Sequence, residues 1–219
     1  METKDAIYAA LGVSAAEADA VVLAAGDYPV RLPLRELLDT HPHVVCCDSA
    51  GGDFVEREGR APWAVVGDLD SLPADARSAL GECVVHVAEQ ESNDLSKAVH
   101  YALSQGWRRL VILGATGRRE DHTLGNISLL VEYLREGLDV VMATDHGVFV
   151  PCRDKYVSPA VPIGTQVSVF AFGAKGLQST GLRYPLHDLG NLWEGTLNET
   201  TEETFCVAAE GDFLVFVNV

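Results

Sequence analysis

Up to about residue 145, short apolar runs alternate with stretches of helical period. The runs at 20–25, 44–47, 64–66, 84–87, 110–113 and 140–143 have the length of buried strands. Between them, amphipathic patterns at 32–40, 74–80, 94–105 and 123–136 predict helices. Such alternation predicts βαβ units with right-handed crossovers and a mostly parallel sheet. After Asp145 the helical period disappears. Strand-like pieces at 147–150, 155–157, 166–172, 176–179, 204–208 and 213–217 follow one another between Gly, Pro and Asn turns. That texture predicts a small antiparallel sandwich. The expected fold is thus an α/β domain over 1–145 followed by a small all-β domain over 146–219. The two meet near "ATDHGVFVPCRD" without a flexible linker, repeat or low-complexity tract.

The longest apolar runs are far too short to span a bilayer. The start, "METKDAIYAALGVSAAEADA", lacks a basic region followed by an apolar core, so a cytoplasmic location is expected. Five cysteines without C-x-x-C spacing form neither a disulfide framework nor a zinc pattern. Adjacent Cys46 and Cys47 are expected to face opposite sides of a strand as small buried hydrophobes. The net charge of -16, from 32 acidic against 16 basic residues, disfavours nucleic acid and anionic membranes as partners. An anionic ligand then needs a local cation or a helix N-terminus.

In open parallel sheets, ligands bind beyond the carboxyl ends of the strands. Five consecutive strands here lead into "GDYP", "DSAGGD", "GDLDS", "EQESNDLSKA" and "GATGRREDHTLGN". In "AVVGDLDSL", Asp68 and Asp70 are i and i+2 of an expected extended segment, which would bring their carboxylates to one side. Converging carboxylates need a cation or proton between them. The competing reading is a polar turn in which Asp70 and Ser71 cap the next helix. In "ESNDLSKAV", Ser92 or Asn93 can cap a helix on which Asp94 and Lys97 share a face, either as a surface ion pair or as a carboxylate and an ammonium for phosphate. Gly114 and Gly117, followed by Arg118 and Arg119, suit a phosphate cradle, with Asp121 a further carboxylate and His122 a structural residue after a cap. Carboxylates with arginine, lysine and glycine loops fit a magnesium-bound nucleotide. No G-x-x-x-x-G-K-[ST] or helix-opening G-x-G-x-x-G occurs, which excludes a P-loop and counts against a dinucleotide fold.

Taken in order, "VVCCDSAGG", "VVGDLDSL", "QESNDLSKA", "ILGATGRREDH", "STGLRYPL" and "GTLNE" resemble the thiamine pyrophosphokinase family nearly end to end. The resemblance implies transfer of the pyrophosphoryl group of ATP to the hydroxyl of thiamine, giving thiamine diphosphate and AMP. It implies Mg²⁺ as cofactor, ATP as co-substrate, and a homodimer with thiamine bound between subunits. By motif, Asp68, Asp70 and Asp94 look like the magnesium and catalytic carboxylates, and Asp121 matches the acidic position of its loop. Asp48, Lys97, Gly114 and Arg118 match nucleotide-side positions, and Gln90 and Asn198 match thiamine contacts. The family's S-T-S-N stretch reads Gly195-Thr196-Leu197-Asn198 here, with Thr196 standing in for the missing serine contact. Trp193, Tyr184 and Tyr28 are candidates for stacking on a cationic thiazolium, against a core role for the first two. Two other readings remain: a magnesium-dependent kinase or pyrophosphokinase for another small alcohol, and a silent thiamine or nucleotide sensor. A sensor has no need to keep the acidic set intact.

Overall fold

In a computed structural model, which describes residues 2–70, 77 and 80–219, the apolar runs form the centre of a sheet. Strands β1 (Ala20–Leu23), β2 (Val44–Cys47) and β3 (Ala64–Gly67) are buried at every residue. Burial on both faces is what covering helices impose on a parallel strand. Strands β4 (Val84–His86), β5 (Arg109–Leu113) and β6 (Asp139–Thr144) complete a parallel half in the order β4-β3-β2-β1-β5-β6. Because β1 pairs with β2 on one side and β5 on the other, the winding reverses between β1 and β5.

Helices α1 (Glu2–Ala10), α2 (Leu32–Thr40) and α3 (Ala50–Glu58) cover one face. Their Tyr8, Leu34, Leu38 and Phe54 pack with Val21, Leu23 and Cys46. On the other face, α4 (Asp94–Ser104) and α5 (Glu120–Arg135) bring Leu95, Val99, Leu130 and Tyr133 against Val22, Val45 and Cys47. Cys46 and Cys47 therefore do point to opposite faces, and burial raises both thiols well above their usual range. The helix expected over 74–80 lies mostly outside the described residues. Helices α1 and α3 were not anticipated. In α3 the "AGG" that reads as a turn is helical, because Gly51 lies directly on β3: a Cβ there would stand 2.5 Å from Val65 Cγ2.

The second half is antiparallel, as expected, but its strands are longer and fewer. Strand β6 turns back into β7 (Gly147–Val157), and β8 (Gln166–Thr180), β9 (Asn198–Glu199) and β10 (Cys206–Asn218) continue antiparallel in the order β7-β10-β8-β9. The six expected short strands merge in pairs into three long ones, β7, β8 and β10, and β9 matches none of them. The breaks in their pattern are irregularities within strands: Asp154 (φ 61°), Gly173 (φ 92°) and Gly211 (φ 107°) accompany register shifts between Ala208 and Phe213. These four strands are contiguous and paired with one another, and they join the parallel half through β6 and β7, so that the ten strands make one mixed sheet. Packing also crosses residue 145, with Leu214 of β10 in the same cluster as Leu130 and Tyr133. Buried Asp212 accepts from Arg153 Nε at 2.7 Å and Arg135 Nε at 2.8 Å, tying β10 to β7 and α5. These guanidinium bonds, Arg153 foremost, hold the carboxyl below its usual range.

Candidate active site

A cleft of about 490 Å³ opens at the carboxyl ends of the parallel strands, lined by residues that follow β1, β2, β3 and β5 and by the start of α4. It sits where the winding reverses, the position at which open α/β sheets hold ligands. Asp48 enters it directly after β2. Its backbone is left-handed (φ 38°) and its N–H donates to the Val66 carbonyl at 3.0 Å, so this buried carboxylate is fixed against β3. Gly67 contributes by lacking a side chain. A Cβ there would lie 3.0 Å from Asp48 Cβ and 3.4 Å from Asp94 Oδ1, and its absence lets both aspartates close on the end of β3.

Asp68 and Asp70 do not converge in the way an extended segment would impose. Strand β3 ends at Gly67, and buried Leu69 takes a left-handed φ of 66°, so the two-residue alternation is broken between them. Asp68 lines the cleft, while Asp70 is exposed and lies outside that lining. Asp70 instead donates its backbone N–H to Asp68 Oδ1 at 3.1 Å, and Gln90 Nε2 donates to Asp68 Oδ2 at 3.0 Å. Those two bonds, the Asp70 amide foremost, hold the Asp68 carboxyl below its usual range.

The carboxylate that meets Asp68 is Asp94, and a lysine stands between them. Asn93 caps α4 by accepting from the Ser96 N–H at 2.9 Å, which places Asp94 and Lys97 on one face of the first turn. The Lys97 side chain is only 3% exposed, with Nζ 3.3 Å from Asp94 Oδ1 and 3.9 Å from Asp68 Oδ2. Among the described residues, no three His, Cys, Asp or Glu side chains are gathered as a metal-holding group. The expected trio of Asp68, Asp70 and Asp94 is thus, in this arrangement, two carboxylates and a buried ammonium.

The loop after β5 supplies cations. Gly114 (φ 64°) and Gly117 (φ 78°) shape it, and the Gly114 and Thr116 carbonyls accept from Gly26 and Asp27 of the β1 loop at 2.7 and 2.8 Å. Arg118 and Arg119 both line the cleft. Arg118 Nη2 stands 3.5 Å from Asp53 Oδ2. Arg119 grips Asp121 through Nε at 3.0 Å and Nη2 at 2.5 Å. That pair holds the exposed Asp121 carboxyl down at about 2, and Asp121 lies outside the lining. Such a carboxylate is a weak proton acceptor.

Two asparagines at the cleft escaped the sequence reading as a pair. Asn93 Nδ2 donates to Asn126 Oδ1 at 3.1 Å, and Asn126 Nδ2 donates to the Ala115 carbonyl at 2.8 Å. A signal was present: Asn126 shares the buried stripe of α5 with Leu130 and Tyr133, where a polar residue needs a partner.

Thr196 and Asn198 lie elsewhere, in a second pocket of about 340 Å³ with Tyr184, Glu194 and Leu197; it shares no lining residue with the cleft that holds Gln90. Asn198 is buried. Its Oδ1 accepts from the Tyr184 and Glu199 N–H groups at 3.0 Å each, and its Nδ2 donates to the Tyr184 carbonyl at 2.7 Å, so it organises the pocket wall. Thr196 Oγ1 donates to the Trp193 carbonyl at 2.7 Å. Trp193 and Tyr184 are 72% and 59% exposed, which removes the core reading for both. Tyr28 is already engaged: its hydroxyl donates to Glu58 Oε1 at 2.7 Å and Arg57 sits 4.6 Å from its ring centroid. Among the described residues no helix is long and apolar enough to cross a membrane.

An open α/β sheet whose reversal point gathers carboxylates, a buried lysine and two loop arginines defines a class, enzymes that work on phosphate groups. Comparison with known proteins narrows it. The family model described as the thiamin pyrophosphokinase catalytic domain matches residues 34–142, and that of the substrate-binding domain matches residues 147–216. Thiamine pyrophosphokinase from Bacillus subtilis (strain 168) is 33% identical over 159 residues, covering 69% of this chain and 71% of its own. Thiamin pyrophosphokinase 1 from Caenorhabditis elegans is 27% identical over 180 residues, covering 74% and 73%. The crystal structure of the Bacillus subtilis enzyme superposes with a TM-score of 0.74 at 23% identity, over 91% of this chain and 98% of that one. The chain belongs to the thiamin pyrophosphokinase family.

Proposed function

We propose that this enzyme transfers the pyrophosphoryl group of ATP to the hydroxyl of thiamine, releasing thiamine diphosphate and AMP. The observation that carries the reading is the position of Lys97, buried between Asp68 and Asp94 at the reversal point of the sheet. Two oxygen-donor carboxylates are what magnesium takes from a protein when phosphate oxygens and water fill the remaining positions, so this donor set fits the ion. Asp68 and Asp94, with Asp70 on the same turn as Asp68, are the residues proposed to hold it. Magnesium there would polarise the phosphate oxygens and neutralise their charge.

The chain's own cations do comparable work. Lys97 balances charge on the transferring group from the floor of the cleft, while Arg118 and Arg119 meet the phosphates from the glycine loop. Asp48 and Gly114 shape the nucleotide side. The thiamine hydroxyl attacks the β-phosphorus in line, AMP leaves, and no covalent enzyme intermediate forms. Asp94 and Asp121 are the candidate acceptors of the hydroxyl proton; each is already paired, Asp94 with Lys97 and Asp121 with Arg119, and a loose transition state asks little base strength of either. Gln90, Thr196 and Asn198 are assigned to thiamine. Gln90 lines the cleft and the other two the second pocket, and a homodimer in which one chain's pocket faces the partner's cleft brings them together.

Product analysis tests the assignment. With ATP, Mg²⁺ and thiamine, AMP is expected to accumulate in step with thiamine diphosphate. Stoichiometric ADP with thiamine monophosphate would replace the pyrophosphokinase by a kinase. Substrate binding without turnover would leave a sensor.

A further inference from the structure

One cleft side chain comes from the middle of a helix instead of a strand end. Asn126 lies on the second turn of α5, is 9% exposed, and uses both ends of its amide. Its Nδ2 donates to the Ala115 carbonyl at 2.8 Å, inside the loop that continues to Arg118 and Arg119. Its Oδ1 accepts from Asn93 Nδ2 at 3.1 Å. Asn93 in turn accepts the Ser96 N–H on its side-chain oxygen at 2.9 Å and the Lys97 N–H on its carbonyl at 3.1 Å. One buried amide therefore joins the loop bearing the arginines to the helical turn bearing Asp94 and Lys97. The chemistry of the position is restrictive. It needs a donor toward Ala115 and an acceptor toward Asn93, which a carboxylate, a hydroxyl of shorter reach or a hydrocarbon does not offer together.

We propose that Asn126 is a positioning residue for the transfer reaction, setting the distance between the arginine loop and the Asp94–Lys97 turn across the cleft. This rests on the function proposed above. Groups that stabilise a transferring phosphoryl group act only when aligned, and misplacement by about 1 Å costs on the order of 100-fold in rate. Asn126 touches neither the nucleotide nor thiamine in this account. It acts through Ala115 and Asn93.

Two variants test it in the full-length protein. Asn126→Asp keeps an oxygen for Asn93 and turns the Ala115 donor into an oxygen facing a carbonyl. Asn93→Ser keeps a cap for α4, since serine is a good N-cap, but no longer reaches Asn126. Both are expected to lower kcat by about 100-fold, the order for such misplacement. The KM for thiamine should stay within about two-fold, and the double variant should be no slower than the worse single one, as for two residues acting as a unit. Calorimetry with Mg–ATP should show weaker binding in each variant. A kcat within about three-fold of wild type in Asn93→Ser would overturn the proposal, whatever Asn126→Asp does to folding. So would a loss that tracks a fallen melting temperature and a raised thiamine KM, the mark of a purely structural residue. Failure of the functional reading looks different, because wild-type protein would then release no AMP. In that case unchanged Mg–ATP affinity in both variants overturns the positioning role, and weakened affinity upholds it.

Discussion

Lys97→Met is expected to lower turnover by about 10³-fold while leaving a folded protein, the size of effect seen when one group aimed at transition-state charge is removed. The substitution keeps the length and apolar stem of a buried side chain and deletes only the ammonium between Asp94 and Asp68. Breaking a fully buried ion pair costs about 3–5 kcal/mol. Here Asp94 and Asp68 are 37% and 22% exposed, so water offsets much of that loss and the variant should stay folded. Magnesium should behave in the opposite sense. With the internal cation gone, the paired carboxylates bind an external one more tightly, and the rise in Tm on adding Mg²⁺ should exceed that of the wild type. Steady-state kinetics and thermal melts with and without Mg²⁺ check both halves. Turnover within about ten-fold of the wild type would remove Lys97 from the transfer machinery.

The second large effect is a recovery. Asp94→Ala and Asn198→Ala should each be nearly inactive as pure homodimers, the first by disabling the cleft and the second by loosening the wall that Asn198 holds against Tyr184 and Glu199. If each site pairs the cleft of one chain with the pocket of the other, a mixed dimer has one site with both lesions and one with neither. With random pairing, roughly a quarter of all sites are then intact, because about half the dimers are mixed. Sites built within one chain would all carry a lesion, and activity would stay at background. Purification through two different tags keeps only the mixed dimers, in which about half the sites are then intact, and an assay of AMP release separates the two cases.

What the sequence made legible follows from how strongly each position was constrained. Strands β1, β2 and β3 are buried on both faces, and the apolar runs at 20–25, 44–47 and 64–66 marked their places within a residue or two. Helix α2 was readable over its full length for the complementary reason, since only one stripe (Leu34, Leu37, Leu38) is buried. Where local chemistry served a tertiary purpose, it misled. Gly51 suggests a turn yet allows a helix to rest on Val65, and Gly173 and Gly211 suggest strand ends yet mark irregularities in long strands. At the cleft, the acidic strand ends were visible as a set. Their relation was not, because the left-handed Leu69 defeats the alternation rule that would have paired Asp68 with Asp70. Lys97 could be placed on the same helical face as Asp94, but its burial between two carboxylates depends on β3 and α4 meeting across Gly67. Asn126 was the least visible, a single polar residue on an apolar stripe whose partners lie 11 and 33 positions away.

In the proposed reaction this cleft moves the pyrophosphoryl group as a unit, by attack at the β-phosphorus. ATP isotopically labelled at the β-phosphorus tests it in a single turnover with thiamine. One-step transfer predicts thiamine diphosphate with the label on the phosphorus bonded to thiamine, and AMP free of label. If the label instead remained in ADP, and thiamine diphosphate drew both its phosphates from the γ-position of successive ATP molecules, one-step pyrophosphoryl transfer would be ruled out.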